Sequence, residues 1–228
     1  MQEPVLMKPA IQQQFQSFMH SGRILFFSAP CGFGKTAVAH ALLSREKVLR
    51  LSAEMPDFSP EHLQSDWNVL LIDDFQEMQE ERDLQALYAL IRASAEKRFV
   101  ILSRGAPPGN LQVFQYAGLM TVIDADDLLF DREDTRKFFA DRNIAVTDSE
   151  LSSILKQSIG YPLGVVITAR CMSGGKPFGP EIVDRAYREV FSYFETAVYR
   201  RFDLPVRRFL LELAPFERFD LEMARMVS

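Results

Sequence analysis

The chain has 228 residues, 47% hydrophobic and 25% charged, with a formal net charge of −5. Those proportions are ordinary for a folded domain and exclude a disordered tail or a fibrous repeat, while the negative charge has the wrong sign for gripping nucleic-acid phosphates over a broad face. Two cysteines, Cys31 and Cys171, and three scattered histidines form neither a disulfide framework nor a metal-ligand pattern, which points to a reducing, cytoplasmic setting.

The start, "MQEPVLMKPAIQQQFQ", is polar and mixed in charge, unlike a secretory leader. No apolar run reaches the length of a membrane span. From there, short apolar runs alternate with longer segments of helical period. Strands are predicted at residues 23–28, 47–52, 68–73, 99–103 and 120–123. Helices are predicted at 35–44, 83–95 and 111–117, with one turn near 60–65. Runs such as "NVLLIDD" and "FVILS" are apolar at every position, the mark of strands covered on both faces. The fold class expected is therefore α/β, a parallel sheet flanked by helices.

Beyond residue 123 the texture changes to helix starts without convincing strands. Asp131 with Asp134 opens one helix, and Thr147 with Glu150 caps another that runs through Ser158. "SGGKPFGP" at 173–180 is the clearest linker. A single long helix is expected over 181–201, and Pro205 then permits a new start. The organisation expected is an α/β nucleotide-binding domain over 1–124, a helical subdomain over 125–175, and a helical or winged-helix segment over 181–228 that is cut short.

The densest chemistry lies in "ILFFSAPCGFGKTAVAHALL", residues 24–43. Ala29-Pro30-Cys31-Gly32-Phe33-Gly34-Lys35-Thr36 follows an apolar strand and opens a helix, the context a phosphate loop demands. Backbone N–H groups from Gly32 to Thr36 can converge on one anion at the positive end of the helix dipole. Lys35 would reach the β- and γ-phosphates, and the Thr36 hydroxyl would ligate Mg²⁺. Contacts to the nucleotide are expected from Pro30, Cys31, Gly32, Phe33, Gly34, Lys35, Thr36 and Ala37. The alternative is a plain helix cap at a buried turn.

A partner motif is "NVLLIDDFQEM", a buried strand ending in two carboxylates. Asp73 is assigned to Mg²⁺, and Asp74 to orienting or deprotonating the attacking water. A third strand ends in Ser103-Arg104, where an arginine fork matches phosphate oxygens and would detect a γ-phosphate. In parallel sheets ligands sit at the carboxyl ends of the strands, so all three motifs should meet at one edge. Solvated charges at strand ends are the competing explanation for the acids and the arginine.

These stretches, with "DADDLLFDREDTRKFFADR" and "GYPLGVVITAR", resemble the regulatory ATPase module of MalT-like, LuxR-type transcription activators. Those belong to the signal-transduction ATPases with numerous domains, the STAND class. The tail "RRFLLELAPFERFDLEMARMVS" is similar to the winged-helix segment that follows in such proteins. The resemblance implies an ATP/ADP switch with weak hydrolysis, activated by an inducer whose identity is unreadable here. It also implies self-association on activation, and DNA contact only through a C-terminal domain absent from this chain. It further implies a sensor role for Arg104, and for Pro162 a place beside the base and ribose.

The chain departs from that family in three places. The interval between Thr36 and Asp73 is short, the arginine-rich signature before the first strand is missing, so the adenine contacts stay unassigned, and Cys31 stands where alanine or glycine is common. A small-molecule kinase would need an acceptor pocket and an arginine-rich lid. A motor or loader of the AAA+ type would need a trans-acting arginine, for which Arg136, Arg142 and Arg170 are candidates. A degenerate phosphate loop serving only as an interaction module is opposed by the intact Gly34-Lys35-Thr36.

Overall fold

The computed structural model describes residues 5–64, 66–216, 218 and 220–226. The chain divides into two compact units, Met1–Val166 and Ile167–Ser228.

The first unit is built on a five-stranded parallel sheet. Its elements in chain order are α1 (Pro9–Ser21), β1 (Ile24–Ser28), α2 (Lys35–Leu42), β2 (Val48–Ser52), α3 (Pro60–Leu63), β3 (Val69–Asp73), α4 (Glu81–Ala93), β4 (Arg98–Ser103), α5 (Gly109–Tyr116) and β5 (Met120–Asp124). All five strands fall within one residue of the predicted bounds, and α2, α4 and α5 within two. The sheet order is β2-β3-β4-β1-β5, so β1 is flanked by β4 and β5.

Alternate residues of each strand serve opposite faces, which is why the strands read as unbroken apolar runs. Ile24, Phe26, Leu70, Ile72, Phe99 and Ile101 meet Leu87 and Ile91 of α4 and Leu111 of α5. Leu25, Phe27, Leu71, Val100 and Leu102 meet Ile11 and Phe18 of α1 and Val38 and Ala39 of α2. Residues 24–27 are all fully buried, and each such side chain contributes about 1.5–3 kcal/mol on burial. Helix α1 was not foreseen. Its apolar contacts to this core come from Ile11, Phe15, Phe18 and Met19, spaced as one helical stripe among glutamines.

The acidic stretch after β5 turns out to be helix punctuation. Asp124 with Asp127 caps α6 (Ala125–Leu128), Asp131 with Asp134 caps α7 (Arg132–Ala140), and Thr147 with Glu150 caps α8 (Asp148–Ser158), each as a reciprocal box. Helix α9 (Pro162–Met172) begins with the proline at its first position, and the boundary between the units falls inside it.

In the second unit, Gly174 and Gly175 adopt φ of 80° and 81°, backbone that favours glycine. The helix expected over 181–201 is divided. Helix α10 (Pro180–Ala197) stops at Val198, whose φ of −127° and ψ of −65° leave the helical region, and a 3-10 turn, Tyr199–Arg201, follows. The Asp203 carboxylate then accepts from the Val206 N–H at 3.0 Å to start α11 (Leu204–Leu213), and α12 (Leu221–Met226) comes last. No helix among the described residues is long and apolar enough to cross a membrane.

Candidate functional site

The loop between β1 and α2 gets its shape from two left-handed glycines. Gly32 has φ 79° and Gly34 has φ 81°, and Gly34 is the N-cap of α2. Nothing lies within 4 Å of where a Gly34 β-carbon would be, so that glycine is required by backbone conformation rather than by space. Lys35 folds back over the loop, its Nζ donating to the carbonyls of Ala29 at 2.6 Å and Pro30 at 3.0 Å. Burial lowers the Lys35 pKa, against the pull of Asp73 and Asp74; Arg104 adds to the lowering and Cys31 opposes it. An ammonium under that strain gains when a polyanion arrives.

Strand order decides the rest. Because β4 lies between β1 and β3, with Ser28 opposite Ser103, Arg104 emerges between the loop and the acidic pair. The Thr36 hydroxyl donates to Asp73 Oδ2 at 2.8 Å, and Asp73 Oδ1 accepts the Asp74 N–H at 2.8 Å. Asp74 itself sits at φ 49°, in the left-handed region that costs a non-glycine residue strain and is common at functional sites. Its Oδ1 accepts from Gln76 Nε2 at 2.8 Å and from Arg104 at 3.3 Å, while Gln76 Oε1 accepts the Arg104 backbone N–H at 3.0 Å. Asp74, Gln76 and Arg104 thus close a ring.

The structure brings together Lys35, Thr36, Asp73, Asp74 and Arg104 by direct bonds or electrostatic coupling. Gln76 is a member that sequence reasoning missed, and its position two residues past the acids was the available signal. His40, one turn beyond Thr36, was also missed. Its ring lies 2.8 Å from Arg50, and burial, then the Arg50 charge, lower its pKa while Asp73 opposes. A guanidinium can only donate, so this contact favours the neutral imidazole, in the same direction as the shift.

Behind the loop lies a mainly apolar cavity of about 220 Å³, lined by Leu6, Ile11, Phe33, Gly34, Ala37, Phe138, Arg142 and Pro162 among others. Pro162 is buried. This cavity brings the N-terminal segment, which had no assigned contacts, to the loop. Lys8 is anchored there by the Leu129 carbonyl at 2.8 Å and Asp134 at 3.4 Å. Of the three arginines considered for trans action, Arg136 pairs with Asp148 at 2.6 Å, Arg170 pairs with Glu189, and Arg142 lies 3.5 Å over the Phe138 ring. Cys31 and Cys171 are both free thiols, the first half-buried and the second buried.

No protein-family model matches the chain, and no curated protein does. Solved structures do resemble it. A Walker-type ATPase of Pyrococcus abyssi superposes with a TM-score of 0.61 at 9% identity, covering 98% of this chain and 88% of that one. RuvB of Thermotoga maritima gives 0.57 at 14% identity, with 97% and 87% covered. A STAND protein with a tetratricopeptide repeat sensor from Pyrococcus horikoshii gives 0.56 at 14% identity, with 99% of this chain but only 37% of that one covered. The chain has the fold of the P-loop ATPases.

Proposed function

We propose that the chain is the ATP- and ADP-binding switch module of a bacterial MalT-like, LuxR-type regulator, hydrolysing ATP slowly. The observation that carries this reading is the Thr36 hydroxyl held 2.8 Å from Asp73, beside Lys35 and the Asp74–Gln76–Arg104 ring. In this reading the amides of Gly32 to Thr36 and the Lys35 ammonium surround the phosphates, within a loop spanning Pro30 to Ala37. The base enters the apolar cavity against Pro162, as expected for a pocket with few polar groups. A STAND protein among the neighbours in fold supports the switch.

Thr36 and Asp73 offer hard oxygen donors, which suit Mg²⁺. Among the described residues no three His, Cys, Asp or Glu side chains gather into a metal cluster, and Thr36 and Asp73 are the side chains that would hold the ion. When bound, the ion neutralises charge on the β- and γ-phosphates. Asp74 orients the attacking water. Gln76 Nε2 donates to its Oδ1 at 2.8 Å, a bond that persists when Arg104 turns to the nucleotide and that competes with proton abstraction from water, in keeping with slow hydrolysis. Arg104 leaves Asp74 for a γ-phosphate when one is present, so ATP and ADP favour different arrangements. Swinging a two-state equilibrium from 1:99 to 99:1 takes about 5.5 kcal/mol of discrimination. Inducer, neighbouring subunits and a C-terminal DNA-binding domain outside this chain complete the regulator.

Mass spectrometry of the purified chain under native conditions tests the reading. Retained ADP is the expected result. A chain that purifies empty and turns over a small acceptor with ATP at about 1–100 per second, the range of kinases, overturns it in favour of a small-molecule kinase.

A further inference from the structure

The connection from α8 and the first turn of α9 together grip the phosphate loop. The Tyr161 hydroxyl donates to the Cys31 carbonyl at 2.9 Å, and the Leu163 N–H donates to the Gly32 carbonyl at 3.1 Å. The Tyr161 and Phe33 rings lie 5.2 Å apart between centroids. Contact is close enough that a β-carbon on Gly32 would fall 1.7 Å from the Tyr161 oxygen. Gly32 is therefore constrained twice, by its φ of 79° and by the tyrosine.

These two bonds have a geometric consequence for the anion site. In a trans peptide the carbonyl and the following N–H point in opposite directions. Holding the Cys31 carbonyl toward Tyr161 aims the Gly32 N–H the other way, and holding the Gly32 carbonyl toward Leu163 does the same for the Phe33 N–H. Both amides belong to the set that must converge on a phosphate. A loop carrying two left-handed glycines would otherwise sample many conformations and lose that freedom on binding. Fixing the peptide planes beforehand removes part of the cost.

We propose that Tyr161 is a positioning residue for the phosphate loop: from the residue before α9 its hydroxyl orients the Gly32 amide, while the Leu163 N–H orients that of Phe33, and this links polyphosphate affinity to the seating of the α8–α9 segment. The proposal rests on the phosphate-loop reading above and adds the residue that preorganises it. Linkage requires the reverse effect as well, so a bound polyphosphate tightens the start of α9 by the same factor.

The test compares the wild-type chain with Tyr161→Phe, which keeps the ring against Phe33 and removes only the hydroxyl. Calorimetric titration with tripolyphosphate, which has no base, and with ADP should show both affinities weakened about threefold to tenfold, the worth of one neutral hydrogen bond. Hydrogen exchange at the Leu163 amide should slow on tripolyphosphate binding in the wild type, and slow less in the variant. A thermal melt shows whether the variant is folded, and Tyr161→Leu, which also loses the ring, should weaken tripolyphosphate further. Equal tripolyphosphate affinity in wild type and Tyr161→Phe overturns the proposal while leaving the phosphate loop intact. If the wild type binds neither tripolyphosphate nor ADP, the phosphate-loop reading has failed and the proposal falls with it.

Discussion

The two ends of the central sheet use the same kinds of side chain for opposite purposes. At the amino end of the strands, Arg23 donates to the Ile91 carbonyl and, at 2.7 Å, to that of Ser94, in the last turn and C-cap of α4. Arg98 reaches Met19 O near the end of α1, and Lys97 bonds the Trp67 carbonyl and stacks on its ring at 4.4 Å. Arg23 and Arg98 there satisfy the orphan carbonyls and negative dipoles of helix C-termini. At the carboxyl end lie the N-terminus of α2 and its loop, where Lys35 rests on the carbonyls of Ala29 and Pro30 and Arg104 on Asp74, contacts that the proposed reading exchanges for phosphate. Parallel topology puts helix C-termini at one end and N-termini at the other. One end is therefore closed by the protein's own atoms, and the other carries the proposed polyphosphate site.

Substitutions at the two ends should separate affinity from stability. The largest effect is expected from Lys35→Ala: ADP affinity in calorimetry should fall about 100-fold, as for loss of a charge-assisted bond, while the melting temperature holds or rises because a partly buried charge is gone. Arg23→Ala should do the opposite. It leaves two carbonyls without their donor and should cost about 2 kcal/mol in urea unfolding, with ADP affinity unchanged below the transition. If Arg23→Ala weakens ADP as much as Lys35→Ala does, the division between the ends is wrong.

Arg104→Ala sharpens the comparison within the carboxyl end. ATP affinity should drop about tenfold relative to ADP, measured by competition, because only the γ-phosphate calls the guanidinium away from Asp74. The smallest effect expected is a pH dependence. Lys35 has a folded-state pKa below its ordinary 10.5, so between those values the unfolded chain binds the extra proton and ligand-free stability rises with pH. Polyphosphate needs the ammonium, so affinity falls as pH rises through the same window. Lys35→Met should flatten both profiles.

Much of this was legible because its cause is local. A strand buried on both faces must be apolar at every position, and the five runs delivered the strands to within one residue. Reciprocal boxes at Thr147 with Glu150 and Asp131 with Asp134 marked helix starts by side-chain reach alone. Helix α1 escaped because its few apolar contacts are diluted by glutamine. The break at Val198 escaped because neither proline nor glycine announces it.

Residue order along the chain determined the phosphate-loop motif, the acidic pair and the strand that carries Arg104, since each depends on neighbours within a few positions. Tertiary structure alone decided that β4 inserts between β1 and β3 to place Arg104 and Gln76 on Asp74. It alone brought the residues before β1 to the cavity behind Gly34, and Tyr161 to a carbonyl 130 residues away. Those juxtapositions depend on which sheet edges and helix faces meet. That choice is made by burying the whole apolar surface at once, and no short window of sequence contains it.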